Sequence, residues 1–152
     1  MIGALTPGRV TVKNVNFEYL EMFLHKLEEM GVNFDRGENQ ITVFYSPFLK
    51  PLKVQALPHP GFPTDLLPII MPLLTKAQGK SLIHDPLYEN RLGYVQELRK
   101  MGGDIEIVDP HRAFVFGPKE MEGVSVNSLD VRAGAVLIVA ALMANGKTII
   151  ND

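Results

Sequence analysis

The sequence predicts an α/β (α+β) fold built from repeated β-α-β-α-β-β units, with helices buried behind sheets and the last unit incomplete. Three observations predict it. A helix-then-hairpin pattern occurs twice, and a Gly-Lys-Ser/Thr turn occurs twice behind a very apolar helix candidate. The third is composition: 152 residues, 46% hydrophobic and 21% charged, suit one domain with a real core.

Taken in order, the first pattern begins at Leu24-His25-Lys26-Leu27-Glu28-Glu29-Met30-Gly31 and returns at Val95-Gln96-Glu97-Leu98-Arg99-Lys100-Met101-Gly102. Apolar residues at helical spacing followed by Gly predict amphipathic helices with a glycine C-cap. Each leads into a hairpin: Val32 to Phe34 and Ile41 to Tyr45 around Gly37-Glu38-Asn39, then Asp104 to Val108 and Ala113 to Phe116 around Asp109-Pro110-His111. Between them lie a short strand, Leu52 to Gln55, an apolar helix, Thr64 to Ala77, and a strand after Gly79-Lys80-Ser81. The same series recurs as Gly123 to Val126, Asp130 to Ala144, and Gly146-Lys147-Thr148-Ile149-Ile150-Asn151-Asp152. The expected division is therefore 1–46 as the second half of one unit, 47–118 as a complete unit, and 119–152 as the first half of another.

Leu66 to Leu74 and Ala133 to Ala144 are apolar on nearly every side, so both helices are expected at the centre, surrounded by other elements. Gly134, Ala135, Ala140, Ala141 and Ala144 would allow close helix approach. Pro68 and Pro72 predict a kink or an irregular first turn, because each removes an amide donor. A third unit without its amphipathic helix and hairpin predicts an exposed apolar face, to be covered by a complementary portion of a larger protein or by self-association.

Composition also excludes. Fifteen basic against seventeen acidic residues, a net charge of −2 and no basic run speak against nucleic acid. With no Cys, disulfides and thiolate chemistry within these residues are ruled out. The stretch Ala133 to Ala144 is too short for a membrane span, and Met1 to Val10 has no secretory pattern, so a cytoplasmic location is expected. His25, His59, His84 and His111 lack metal-ligand spacing, and His25 and His111 are expected at the surface. Gly79-Lys80-Ser81 and Gly146-Lys147-Thr148 resemble phosphate-loop endings, but both lead into strands and read as tight turns. Ser125 and Ser128 have no nucleophile elbow around them, and no cofactor or metal is expected.

Three charged residues stand out at helix starts. Asp65 follows the rigid approach Pro60-Gly61-Phe62-Pro63-Thr64. It reads either as a helix cap or a charge complementing the helix macrodipole, with Thr64 or Asp65 as the cap, or as a carboxylate at a cleft edge that takes a proton from a substrate hydroxyl. Arg91, in Glu89-Asn90-Arg91, and Arg132, in Asp130-Val131-Arg132, each place a cation where the helix dipole opposes it. Each reads as a local salt bridge, Arg91 with Glu89 or Asp85 and Arg132 with Asp130, or as recognition of phosphate or carboxylate through a planar fork of donors.

Those three motifs, Pro60 to Asp65, Glu89 to Arg91 and Asp130 to Ala135, resemble the enolpyruvyl transferases in order and spacing. The resemblance covers essentially the whole chain. It implies the inside-out α/β fold of that family and a transferase reaction. Phosphoenolpyruvate would give its enolpyruvyl group to the 3-hydroxyl of UDP-N-acetylglucosamine, through a tetrahedral intermediate that loses phosphate, in peptidoglycan precursor synthesis. It further implies Asp65 beside that hydroxyl as the catalytic carboxylate and a sugar contact. Leu87 would be a nucleotide-sugar contact through its backbone, and Arg91 and Arg132 would be cleft arginines for phosphoenolpyruvate and closure. Family enzymes have two similar domains with the site between them. This chain corresponds to part of one, without the second domain or the loop bearing the reactive Cys, so turnover by the chain alone is not expected. The rival expectation is a non-catalytic binding or assembly module that keeps the fold.

Overall fold

The computed structural model describes residues 1–151; Asp152, the end of the second Gly-Lys match, lies outside the described residues. In chain order the elements are α1 (Ile2–Leu5), β1 (Arg9–Lys13), a single 3-10 turn (Phe17–Tyr19), α2 (Glu21–Met30), β2 (Phe34–Arg36), β3 (Gln40–Phe44), β4 (Lys53–Gln55), α3 (Leu66–Lys76) and β5 (Gly79–His84). They continue with α4 (Val95–Lys100), β6 (Asp104–Asp109), β7 (Arg112–Gly117), β8 (Ser125–Asn127), α5 (Val131–Met143) and β9 (Ile149–Asn151).

The strands form three sheets, ordered β1-β3-β2, β4-β5-β7-β6 and β8-β9. In the middle sheet β4 runs parallel to β5, while β5, β7 and β6 are antiparallel. The first sheet repeats the antiparallel order of β5, β7 and β6. The third repeats the parallel pairing of β4 with β5. Strand β1 was not among the expected elements, although its Arg-Val-Thr-Val-Lys alternation carries the β-branched signal. In β5 and β7 the alternation is clear: Ser81, Ile83, Ala113 and Val115 face the core. The Ser81 hydroxyl accepts the Leu52 amide at 3.1 Å, so the one polar group on that face is satisfied where β4 begins.

Helix α3 is the centre of the core. Ile70, Met71, Leu73 and Leu74 are fully buried, as expected of a helix apolar on every side. Its first turn is irregular: Leu66 and Leu67 amides reach back three residues, to Pro63 and Thr64 carbonyls, and the helix starts at Leu66 rather than Thr64. Pro68 falls in the first turn, where a missing amide costs nothing, and Pro72 lies inside the helix. Gly31 and Gly102 close α2 and the helix of α4 at φ +86° and +98°, the left-handed conformation that glycine adopts without strain.

Helix α5 departs from expectation. Ala133, Val136, Leu137 and Ala140 are buried against the core, and α3 and α5 pack together. Yet Val131 is 91% exposed and Ile138 and Leu142 are each 51% exposed, so α5 is not surrounded. The reason lies in the sheets. Strand β7 packs over α3, whereas the β8-β9 sheet ends after two strands, and no counterpart of β7 covers α5 among the described residues. Gly134, expected to admit a neighbouring helix, instead faces the Ser128 side chain of the preceding loop.

Candidate functional site

The site forms where three segments meet: the turn entering α3, the loop after β5, and the start of α5. Asp65 is the last residue before α3, but it makes no side-chain cap hydrogen bond there. The side-chain cap is thus overturned, although the charge still stands at the N-terminal end of α3. Its Oδ1 instead accepts from Arg91 Nη1 at 3.2 Å and Arg132 Nη1 at 3.4 Å. Both arginines, read either as partners of near neighbours in sequence or as anion-recognising forks, converge on a carboxylate that is 26 and 67 positions away. Arg132 also lies 3.8 Å from Asp130, as the local reading had it.

Arg91 does not open a helix. Helix α4 begins only at Val95, and residues 89–94 form turns in which Asn90 takes φ +58°. The opposed-dipole argument therefore does not apply to Arg91. Its guanidinium is held instead by the Tyr88 ring, 3.7 Å beneath it, and by Thr64 Oγ1 at 3.2 Å as well as by Asp65. Arg132 does lie in the first turn of α5. Asp130 caps that helix, accepting from Arg132 N at 2.8 Å and Ala133 N at 2.9 Å. Those amides hold the Asp130 carboxyl below the usual carboxylate range, Ala133 N–H foremost.

Beside these groups lies a cleft of about 260 Å³ lined by Pro68, Tyr88, Arg91, Tyr94, Asp130 and Arg132. Arg91 and Arg132 line it, Asp65 is joined to both from outside its lining, and with Asp65 71%, Arg132 39% and Arg91 21% exposed the charges are reachable from solvent. Exposed ion pairs of this kind stabilise a fold by roughly 0–1 kcal/mol. Their convergence is not what holds the molecule together, and the guanidinium N–H groups not engaged by Asp65 and Thr64 can donate to an anion. Among the described residues no group of His, Asp and Glu is arranged to hold a metal ion.

Four residues that the sequence reading did not assign to the site support it. Asp85, weighed only as a partner for Arg91, is 4% exposed and accepts from Thr64 Oγ1 at 2.6 Å and from Leu87 N at 3.1 Å. Thr64, weighed only as a cap, is the link between Asp85 and Arg91. Tyr94 is buried in the cleft wall, and burial, followed by the Asp85 charge, pushes its phenol well above the ordinary tyrosine range. His111, expected at the surface, is half-buried and bonds the Asp85 carbonyl through Nδ1 at 2.8 Å. The Glu-Asn-Arg and Pro-Thr-Asp motifs flanked these positions, but burial, which marks them out, has no local signature. Leu87 is exposed in the same loop but does not line the cleft, and its amide is taken by Asp85.

Residues 1–152 match the family described as EPSP synthase (3-phosphoshikimate 1-carboxyvinyltransferase). The chain belongs to the EPSP synthase family of enolpyruvyl transferases. Among curated relatives, it is 40% identical over 152 residues to the UDP-N-acetylglucosamine 1-carboxyvinyltransferase of Kosmotoga olearia, covering 100% of this chain and 36% of that protein. It is 46% identical over 145 residues to the enzyme of the same name from Halothermothrix orenii, covering 95% of this chain and 34% of that protein. Among solved structures, the enolpyruvyl transferase NikO from Streptomyces tendae superposes with a TM-score of 0.90 at 26% identity, over 99% of this chain and 36% of that one. EPSP synthase from Acinetobacter baumannii superposes with a TM-score of 0.71 at 16% identity, over 98% of this chain and 36% of that one, a likeness of fold alone. This member of the EPSP synthase family thus spans about a third of the length of the relatives it matches. No helix among its described residues is long and apolar enough to cross a membrane.

Proposed function

We propose that this chain forms one wall of a carboxyvinyl-transfer site, in which phosphoenolpyruvate gives its enolpyruvyl group to the 3-hydroxyl of UDP-N-acetylglucosamine and phosphate is released. The observation that carries this reading is the convergence of Arg91 and Arg132, which line one cleft, on the exposed Asp65 carboxylate. A carboxylate within reach of a hydroxyl manages its proton, and two guanidiniums hold the carboxylate and phosphate charge of the donor as the tetrahedral intermediate forms and collapses. Leu87 contacts the nucleotide sugar through its carbonyl, the backbone group that Asp85 leaves free. The relatives' names support the acceptor, and their length supports a site completed elsewhere. The reaction belongs to peptidoglycan precursor synthesis in the cytoplasm.

In this reading 1–46, 47–118 and 119–152 are parts of three units of one domain, and the open side of α5 is covered by the complementary portion of the enzyme. The test mixes this chain with the separately expressed remainder of the Kosmotoga olearia enzyme and follows phosphate release from phosphoenolpyruvate. Release should require both pieces and UDP-N-acetylglucosamine. It should fall at least about 100-fold in Asp65→Ala, the lower end of what a positioned acid or base contributes. No release in any mixture, from a chain that assembles with itself, would favour a non-catalytic assembly module.

A further inference from the structure

We propose that Asp85 is a positioning residue that holds Arg91 and the Leu87 turn in one register. The idea rests on the proposed function only for what the held groups do; the holding itself is a matter of hydrogen bonds. Asp85 is the first residue after β5, and its amide and carbonyl are both bonded to His111 in the β6-β7 turn. Its amide donates to the His111 carbonyl at 2.8 Å, and its carbonyl accepts from His111 Nδ1 at 2.8 Å. Because a carbonyl only accepts, that contact places a proton on Nδ1. The carboxylate is therefore aimed, not free to swing.

One carboxylate oxygen takes the Leu87 amide and the other takes the Thr64 hydroxyl. A threonine hydroxyl has one proton, and a carboxylate does not donate, so that proton lies between Thr64 and Asp85. The Thr64 lone pairs are then left for Arg91 Nη1, which can only donate, at 3.2 Å. The chain Asp85, Thr64, Arg91 has one consistent direction of donation. An amide in place of the Asp85 carboxylate could still accept from Leu87, but its NH2 would donate into Thr64 and turn the Thr64 proton toward the guanidinium. A carboxylate buried on two neutral donors is a poor way to stabilise a fold. Orienting a hydroxyl and a turn at once is a reason for a charge to be there.

The experiment reads the Arg91 guanidinium directly in this chain, by its side-chain proton–nitrogen NMR signal, assigned with Arg91→Lys. The signal should be sharp and slow to exchange with water. Thr64→Val and Asp85→Asn should each speed that exchange by about tenfold, the loss expected for one charge-assisted hydrogen bond, while Thr64→Ser should keep the native rate. An Arg91 signal indifferent to Thr64→Val and Asp85→Asn would overturn the proposal. If Asp85→Asn does not fold, the half-buried and nearly isosteric Thr64→Val decides alone. Absence of phosphate release in the mixing experiment would sink the proposed function without moving this signal. An indifferent signal would sink the Asp85 assignment without touching the function.

Discussion

Glu97 offers a sharp test of how the chain holds β8 in place, and with β8 the loop that leads to Arg132. Its side chain lies on α4 yet is only 8% exposed. Lys100 Nζ donates to its two oxygens at 2.7 and 2.9 Å, and the Asn127 amide of β8 donates at 3.0 Å. Replacing Glu97 by Ala removes all three contacts. The half-exposed Lys100 recovers most of its loss from water, so that pair accounts for about 0.5 kcal/mol. The Asn127 amide is left without its acceptor, a loss of about 1–3 kcal/mol. Together the substitution should destabilise the chain by roughly 1.5–3.5 kcal/mol, or about 3–14 °C in Tm for a chain of this length. The lysine contact first, and the Asn127 amide next, hold the Glu97 carboxyl below the usual range. A folded-state pKa below the unfolded one means the contribution is full above the ordinary glutamate value, near 4.5, and is lost as pH falls through the lower folded one. Urea titrations of the native chain and Glu97→Gln should therefore differ at pH 7 and converge toward pH 3. A loss below about 0.5 kcal/mol in Glu97→Ala, or a gap between native and Glu97→Gln that does not change with pH, would refute the reasoning.

Three further outcomes follow from the same structure. Asp130→Ala removes the cap of α5 and should lower stability by about 1 kcal/mol in urea titrations, with Asp130→Asn retaining most of it. Met71→Ala empties part of the centre of α3 and should cost about 2–5 kcal/mol by urea midpoint. Gly117→Ala, at the end of β7, would drive a methyl group against the carbonyl oxygens of Ala77 and Thr75, the latter 2.7 Å away. Backbone cannot yield as a flexible side chain does, so loss of cooperative thermal unfolding is expected.

Much of the architecture could be read locally. The period of Leu24, Leu27 and Met30 against Gly31, and its return at Val95, Leu98 and Met101, follows from the geometry of a helix that buries one stripe. The position of Asp130 before an apolar run marked the start of α5, whereas its role as the cap emerged only in the structure. The unbroken apolarity of α3 required a central place. The same apolarity in α5 did not ensure one, because whether a face is covered depends on which strand lies over it, and β7 has a counterpart only at α3.

Local pattern and composition were enough for the repeated elements, for the lack of thiolate chemistry within these 152 residues, and for Asp65, Arg91 and Arg132 as candidates. That the three meet follows from the folded arrangement alone. Local periodicity reports which face a residue occupies on its own element, whereas the Asp65 pairs span 26 and 67 positions and depend on how α3, α5 and the loop after β5 are set by the sheets between them. Asp85 shows the same limit more plainly. A lone Asp between a strand and a loop is unremarkable in sequence, and its role arises from burial, which joins Thr64, Leu87 and His111 around one carboxylate and its backbone.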